Sequence, residues 1–127
     1  MAEDGRSLAG ACARLAEERL ADDVLVLDVG DVAFFTGYFV IATGRNERQI
    51  DAIAGAIRSA MKKQGHAIVG TEGDAASGWI LIDLAEAIVH IFSPEARSLY
   101  DLELLWGQAP RVDWQNVEAE DAGAAEA

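Results

Sequence analysis

The chain has 127 residues, 51% of them hydrophobic, and a formal net charge of −12. That length and apolar content suffice for one domain with a core and exclude general disorder, while the acidity argues against a nucleic-acid backbone as the main partner, because phosphates need a cationic surface. No apolar run approaches the roughly 18 residues of a membrane span, and the single cysteine, Cys12, excludes an internal disulfide and a multi-cysteine metal site.

The first residues, M-A-E-D-G-R-S, lack the basic and then apolar pattern of a secretory signal, so the expectation is a soluble, cytoplasmic protein. Residues 1–6 are expected to be flexible. Ser7 suits an N-cap, and Leu8, Ala11, Cys12, Leu15, Ala16 and Leu20 recur at helical spacing, which predicts a helix over 7–21. Within that stripe Cys12 is a small core filler rather than a nucleophile. The apolar run 24–29, with Asp28 inside it, predicts a first strand, Gly30-Asp31 a turn, and Y-F-V-I-A-T at 38–43 a second strand closed by Gly44.

Asn46-Glu47-Arg48-Gln49 is a helix start of the capping-box type, with Asn at N-cap and Gln at N3. Ile50, Ile53, Ala54, Ile57 and Met61 make the buried stripe that follows. Lys62 and Lys63 suit the negative end of the helix dipole, and Gly65 ends the helix. Residues 66–70 are a weak third strand, and T-E-G-D-A-A-S-G at 71–78 is a polar loop. The Ile- and Val-rich runs 79–84 and 87–92, separated by Ala85-Glu86, predict two buried strands.

Ser93-Pro94-Glu95 then combines an N-cap, a proline at N1 and an acid in the first turn, predicting a helix to about residue 106 that stops before Gly107 and Pro110. At about 100° per residue this helix is apolar around most of its girth. Leu99, Leu102 and Trp106 share one side, Ala96, Tyr100 and Leu104 another, and Leu105 points away from both, with Arg97, Asp101 and Glu103 set among them. Either the rest of the chain wraps it or something docks on it. Residues 108–114 are an irregular segment that packs back through Val112 and Trp114. The Ala-, Glu- and Gly-rich stretch 115–127, with Glu118, Glu120, Asp121 and Glu126 and no basic residue, is expected to be a disordered acidic tail. The order α-β-β-α-β-β-β-α implies a single domain over 7–114: an α/β fold whose mixed five-stranded sheet is covered by helices.

Familiar catalytic patterns are absent. The glycines at 70–78 have no P-loop lysine, no G-x-G-x-x-G follows a strand, and no Cys/His cluster has zinc spacing. Asp28 and Asp83 could meet if their strands are neighbours, but no D-x-D lies on any strand, and Asp101 and Glu103 at i and i+2 of a helix point apart. His90 alternates onto one strand face with Ile88 and Phe92, which suits a histidine in the core or at its edge. These acids and the 70–78 loop, together with the nucleotidyltransferase-like fold that the family resemblance given below implies, leave one alternative open, a nucleotidyltransferase-like nucleotide-binding protein or enzyme. Its test is a shift in melting temperature with nucleotide and Mg²⁺.

Four blocks in order, T-G-Y-F-V-I-A-T-G-R-N-E-R-Q at 36–49, W-I-L-I-D-L at 79–84, V-H-I-F at 89–92 and E-A-R-S-L-Y-D-L-E-L-L-W at 95–106, closely resemble the ribosomal silencing factor family, also called RsfS or Iojap-like. The resemblance covers about residues 8–112. It implies a fold like that of nucleotidyltransferases without their active site, and a translation factor with no cofactor and no catalysis. It implies binding to the large ribosomal subunit through its fourteenth protein, a block on small-subunit joining, and lowered translation under nutrient limitation or in stationary phase. It also implies a link to large-subunit assembly and a homodimer when free. Three positions depart from the family pattern: Gly37 stands where Asp is usual, Ala85-Glu86 replaces Gly-Asp, and Gln108 stands where Asp is frequent.

Family resemblance and the over-apolar last helix point to one set of partner-binding residues: Trp79, His90, Tyr100, Asp101, Glu103, Leu104 and Trp106. Aromatic anchors would supply affinity, and the carboxylates would select lysine and arginine on the partner. The alternative for Trp79 and Trp106 is a place in the core.

Overall fold

The computed structural model describes residues 2–116. In chain order it contains α1 (Ala2–Glu18), β1 (Asp22–Asp28), β2 (Tyr38–Thr43), α2 (Glu47–Lys63), β3 (Gly70–Asp74), β4 (Trp79–Asp83), β5 (Ala87–Phe92), α3 (Pro94–Tyr100) and α4 (Leu102–Leu105). The strands form one five-stranded sheet in the order β1-β2-β5-β4-β3. β2 and β5 pair in parallel at its centre, and the other pairs are antiparallel. The expected mixed α/β architecture is the one found.

Strand periodicity divides the core in two. One face carries Val26, Val40, Ala42, Ile80, Ile82, Val89 and Ile91 and packs under α1 and α2, where Leu8, Cys12, Ala16, Ile50, Ile53, Ile57 and Met61 meet it. Val112 and Trp114 join this cluster, so the segment after α4 packs back as expected. The opposite face carries Leu27, Phe39, Ile41, Ile88 and Phe92, covered by Ala96 of α3, Leu102 of α4 and the segments around Ala33 and Ala109. Two full-length helices shield the first face, whereas the second has only short ones. This unequal cover creates the site described below.

Asn46 caps α2 as its sequence predicts: the Gln49 backbone N–H donates to Asn46 Oδ1 at 2.9 Å. The reciprocal half of the box differs. Gln49 Oε1 accepts from Arg45 N, one residue earlier than expected, and Gln49 Nε2 donates to the carbonyls of Arg19 and Leu20. The side chain thereby ties the start of α2 to the end of α1.

Three expectations are corrected. α1 begins at Ala2 rather than at Ser7, so the flexible segment expected over 1–6 is helical from residue 2. Gly5 explains the extension: it is buried, and a Cβ there would lie 3.2 Å from the Tyr38 ring, so the first turns pack on the sheet. The third strand is Gly70–Asp74, shifted out of 66–70 into the expected loop. It is an edge strand with exposed side chains, defined by its ladder to β4 and not by apolar alternation. Gly73 within it has φ of 81°, and a Cβ would fall 2.0 Å from the Trp79 carbonyl oxygen, so only glycine fits. Finally, the last helix is not continuous. Asp101 adopts φ 46°, ψ 58°, donates its N–H to the Arg97 carbonyl to end α3, and accepts from Leu104 N to start α4. The expected disordered tail lies outside the described residues, except residues 115 and 116, which follow Trp114 in a short helical turn.

The three-residue connection between β4 and β5 places Ala85 at φ 70°. That conformation suits glycine and costs an L-residue about 1–2 kcal/mol. Because glycine also gains freedom in the unfolded chain, Ala85→Gly is expected to raise the unfolding free energy by a net of about 0.5–1 kcal/mol, read from urea denaturation.

Candidate functional site

The incompletely covered face of the sheet carries a continuous series of rings. His90, at the centre of β5, sits between Ile41 of β2 and Leu81 of β4. Its ring lies 4.8 Å from Phe39 and 5.8 Å from Trp79. Trp79 packs on Phe92 at 5.0 Å and on Tyr100 at 4.6 Å. On the other side Phe39 packs on Trp106 at 5.2 Å, and Trp106 on Phe35 at 6.2 Å. The series runs from the loop before β2 to the end of α3.

Large apolar side chains on and around it face solvent. Leu99, Leu104 and Leu105 are 76%, 77% and 71% exposed, Tyr100 48% and Phe34 fully. Monomeric proteins rarely leave so much contiguous apolar surface open without a use for it. A cleft of about 310 Å³ runs between Val32, the α4 residues Leu104 and Leu105, and Trp106 just after them.

The expected interface residues separate into three groups. Tyr100 and Leu104 are at the surface as expected, and Trp79 and Trp106 are half-buried, each with one side on the core and the other toward the open face. Asp101 and Glu103 are largely committed within the chain. Asp101 caps both helices. Glu103 receives a two-pronged ion pair from Arg97, with Nε donating to Oε1 at 2.8 Å and Nη2 to Oε2 at 3.2 Å, and Arg97 Nη1 also donates to Thr43 Oγ1 at 2.8 Å. One guanidinium thus joins α3, α4 and β2, and its hydrogen bonds hold the Glu103 carboxyl below its ordinary pKa. The cation that Glu103 holds within this chain is Arg97.

His90 is the third case. It is 4% exposed and lies beneath the surface rings. Trp79 Nε1 donates to His90 Nδ1 at 3.2 Å. An indole N–H can only donate, so Nδ1 is the acceptor and the proton of the neutral ring sits on Nε2. Nε2 is buried without a hydrogen-bond partner among the described residues. Burial alone lowers the imidazole pKa to about 4. His90 therefore orients Trp79 from beneath.

Sequence reasoning misses Val32, Phe34, Phe35 and Leu99. Two adjacent phenylalanines between the Gly30-Asp31 turn and β2 are the available signal, since aromatic residues in a loop have no core to fill. The two aspartates of the enzyme alternative do not meet. β2 and β5 lie between β1 and β4, a separation of roughly 14 Å across three strand spacings. Asp28 and Asp83 also alternate onto opposite faces, and each carboxylate accepts from a nearby turn N–H, Gly30 and Ala85 respectively.

Fold and surface together define the class: a small α/β domain with one sheet face sealed by helices and the other presenting an open series of aromatic and leucine side chains. Residues 2–127 match the family model described as ribosomal silencing factor during starvation. The ribosomal silencing factor RsfS of Bacillus subtilis is 34% identical over 108 residues, 85% of this chain and 92% of that protein. The chloroplastic protein Iojap of Zea mays is 35% identical over 107 residues, 84% of this chain and 46% of that protein. A crystal structure of a Chromobacterium violaceum protein superposes with a TM-score of 0.76 at 31% identity, covering 79% of this chain and 83% of that one. The chain belongs to the ribosomal silencing factor family.

Proposed function

We propose that this protein is a ribosome-associated silencing factor that docks on the large ribosomal subunit through its fourteenth protein. Docking blocks small-subunit joining and represses translation under nutrient limitation or in stationary phase. The observation that supports this most is the open aromatic face, where Trp79, Tyr100 and Trp106 stand among exposed leucines on a chain of net charge −12. Apolar anchors inside a patch of complementary charge suit a basic protein partner. The relatives named as ribosomal silencing factors support the ribosome as the setting and a regulatory, non-enzymatic role. A homodimer of the free protein and a cytoplasmic location belong to the same proposal.

Sedimentation of purified large and small subunits with and without the protein tests it. The expected result is co-migration with the large subunit and a smaller joined-ribosome peak. Migration with neither subunit and an unchanged peak would overturn the reading.

A further inference from the structure

Where β3, β4 and α3 meet, a half-open pocket of about 240 Å³ is lined by Glu72, Gly73, Ser77, Trp79, Leu81 and Tyr100. Two of its walls are aromatic: the rings of Trp79 and Tyr100 lie 4.6 Å apart at 44°. Trp79 is held in place twice, by its hydrogen bond to the buried His90 and by its packing on Phe92. Glu72 pairs with Leu81 in the β3–β4 ladder, so its side chain leaves the sheet on the same face as Leu81 and Trp79. Unlike that of Glu103, the Glu72 carboxylate has no ion pair or hydrogen bond among the described residues.

A fixed indole face, a second aromatic ring and an uncommitted carboxylate at the rim together make an environment selective for a cation on an apolar stem. Ring faces attract positive charge, tryptophan most strongly, and the carboxylate neutralises it. Leu81 and the ring surfaces suit the methylene stem of a long basic side chain. We propose that this pocket receives one lysine or arginine side chain of the protein partner, laid against the adjoining Trp79 and Tyr100 rings and paired with Glu72. That the partner is a protein rests on the docking reading above; the pocket's preference for a cation does not. Gly73 has a part in this. It allows the close β3–β4 approach that brings Glu72 beside Trp79, and it has no side chain to fill the pocket.

The test uses the full chain and three soluble probes: N-acetyl-arginine amide, N-acetyl-lysine amide and the uncharged N-acetyl-norleucine amide. The readout is the NMR resonance of the Trp79 indole N–H, assigned by its loss in Trp79→Phe. Saturable shifts are expected with the two cationic amides at millimolar concentration. The norleucine amide is expected to bind on the order of tenfold more weakly, as is either cation to Glu72→Gln. Glu72 is exposed on an edge strand, so this variant keeps its fold. No saturable shift, an equal response to norleucine amide, or full binding by Glu72→Gln would overturn the proposal. Because the probes need no ribosome, the two readings fail separately. A protein that binds the cationic amides but sediments with neither subunit keeps the pocket and loses the docking function. One that sediments with the large subunit but ignores the amides loses the pocket alone.

Discussion

Replacing Tyr100 with alanine is expected to weaken binding to the large ribosomal subunit about 30-fold, roughly 2 kcal/mol, while changing the unfolding free energy by less than about 1 kcal/mol. Tyr100 ends α3, is half exposed and stacks on Trp79, with no main-chain role in the break that follows, which belongs to Asp101. Its removal takes away an anchor and one wall of the pocket and leaves the core clusters intact. Trp79→Ala should reduce affinity at least as much, but it also strips Phe92 of a packing partner and leaves His90 Nδ1 without its donor, so it is the less clean variant. Leu20→Ala serves as the control. Leu20 is 68% exposed just after α1, the helix that covers the opposite sheet face, and its loss should leave affinity unchanged. A titration of isolated large subunits with each variant, beside urea denaturation of the free protein, reads both quantities. Full affinity in Tyr100→Ala would show that the docking surface lies elsewhere.

The same face shows how far the amino-acid sequence alone can be taken. β2, β4 and β5 are legible because they are central strands, and continuous Ile and Val runs have few other solutions in a domain of this size. α2 is legible because its cap, stripe and terminal lysines all agree. β3 is not, because G-T-E-G-D is an exposed edge whose only determinant is the main-chain ladder to β4, and Glu72 stays hidden with it. The break at Asp101 is equally silent. L-Y-D-L-E-L-L contains no glycine or proline, and the turn depends on an aspartate capping in both directions and on an ion pair between Arg97 and Glu103, six residues apart. In the site, counting apolar residues on the last helix correctly finds that more are present than a core can use. Which carboxylate is committed and which is uncommitted depends on tertiary contacts. That is why Glu103 is chosen from sequence and Glu72 is not.

Acid should weaken the protein through a single buried imidazole. His90 titrates near 6.5 when unfolded and at about 4 in the folded chain, because burial disfavours the charged ring. Between those values the unfolded chain holds a proton that the folded one does not. Stability is therefore free of this penalty above pH 6.5 and falls as pH drops toward 4, by about 3 kcal/mol in total. The residues flanking it in the sheet and stacked on its ring, Ile41, Leu81, Phe39, Phe92 and Trp79, carry no charge to offset it. Chemical denaturation of wild type and His90→Asn at pH 7 and pH 4.5 isolates the effect from carboxylate titration, Glu103 included. The asparagine carbonyl can still accept from the Trp79 indole and does not titrate. Wild type should lose about 2–3 kcal/mol more than the variant over that interval. Equal losses would mean that water reaches the imidazole. Protonation must also enter at Nδ1, the atom that holds Trp79, so the indole is released as the ring charges. Trp79 fluorescence of the folded protein should then change around pH 4 in wild type and stay constant in His90→Asn. This ties the acid response to the anchor of the open face rather than to general loosening of the fold.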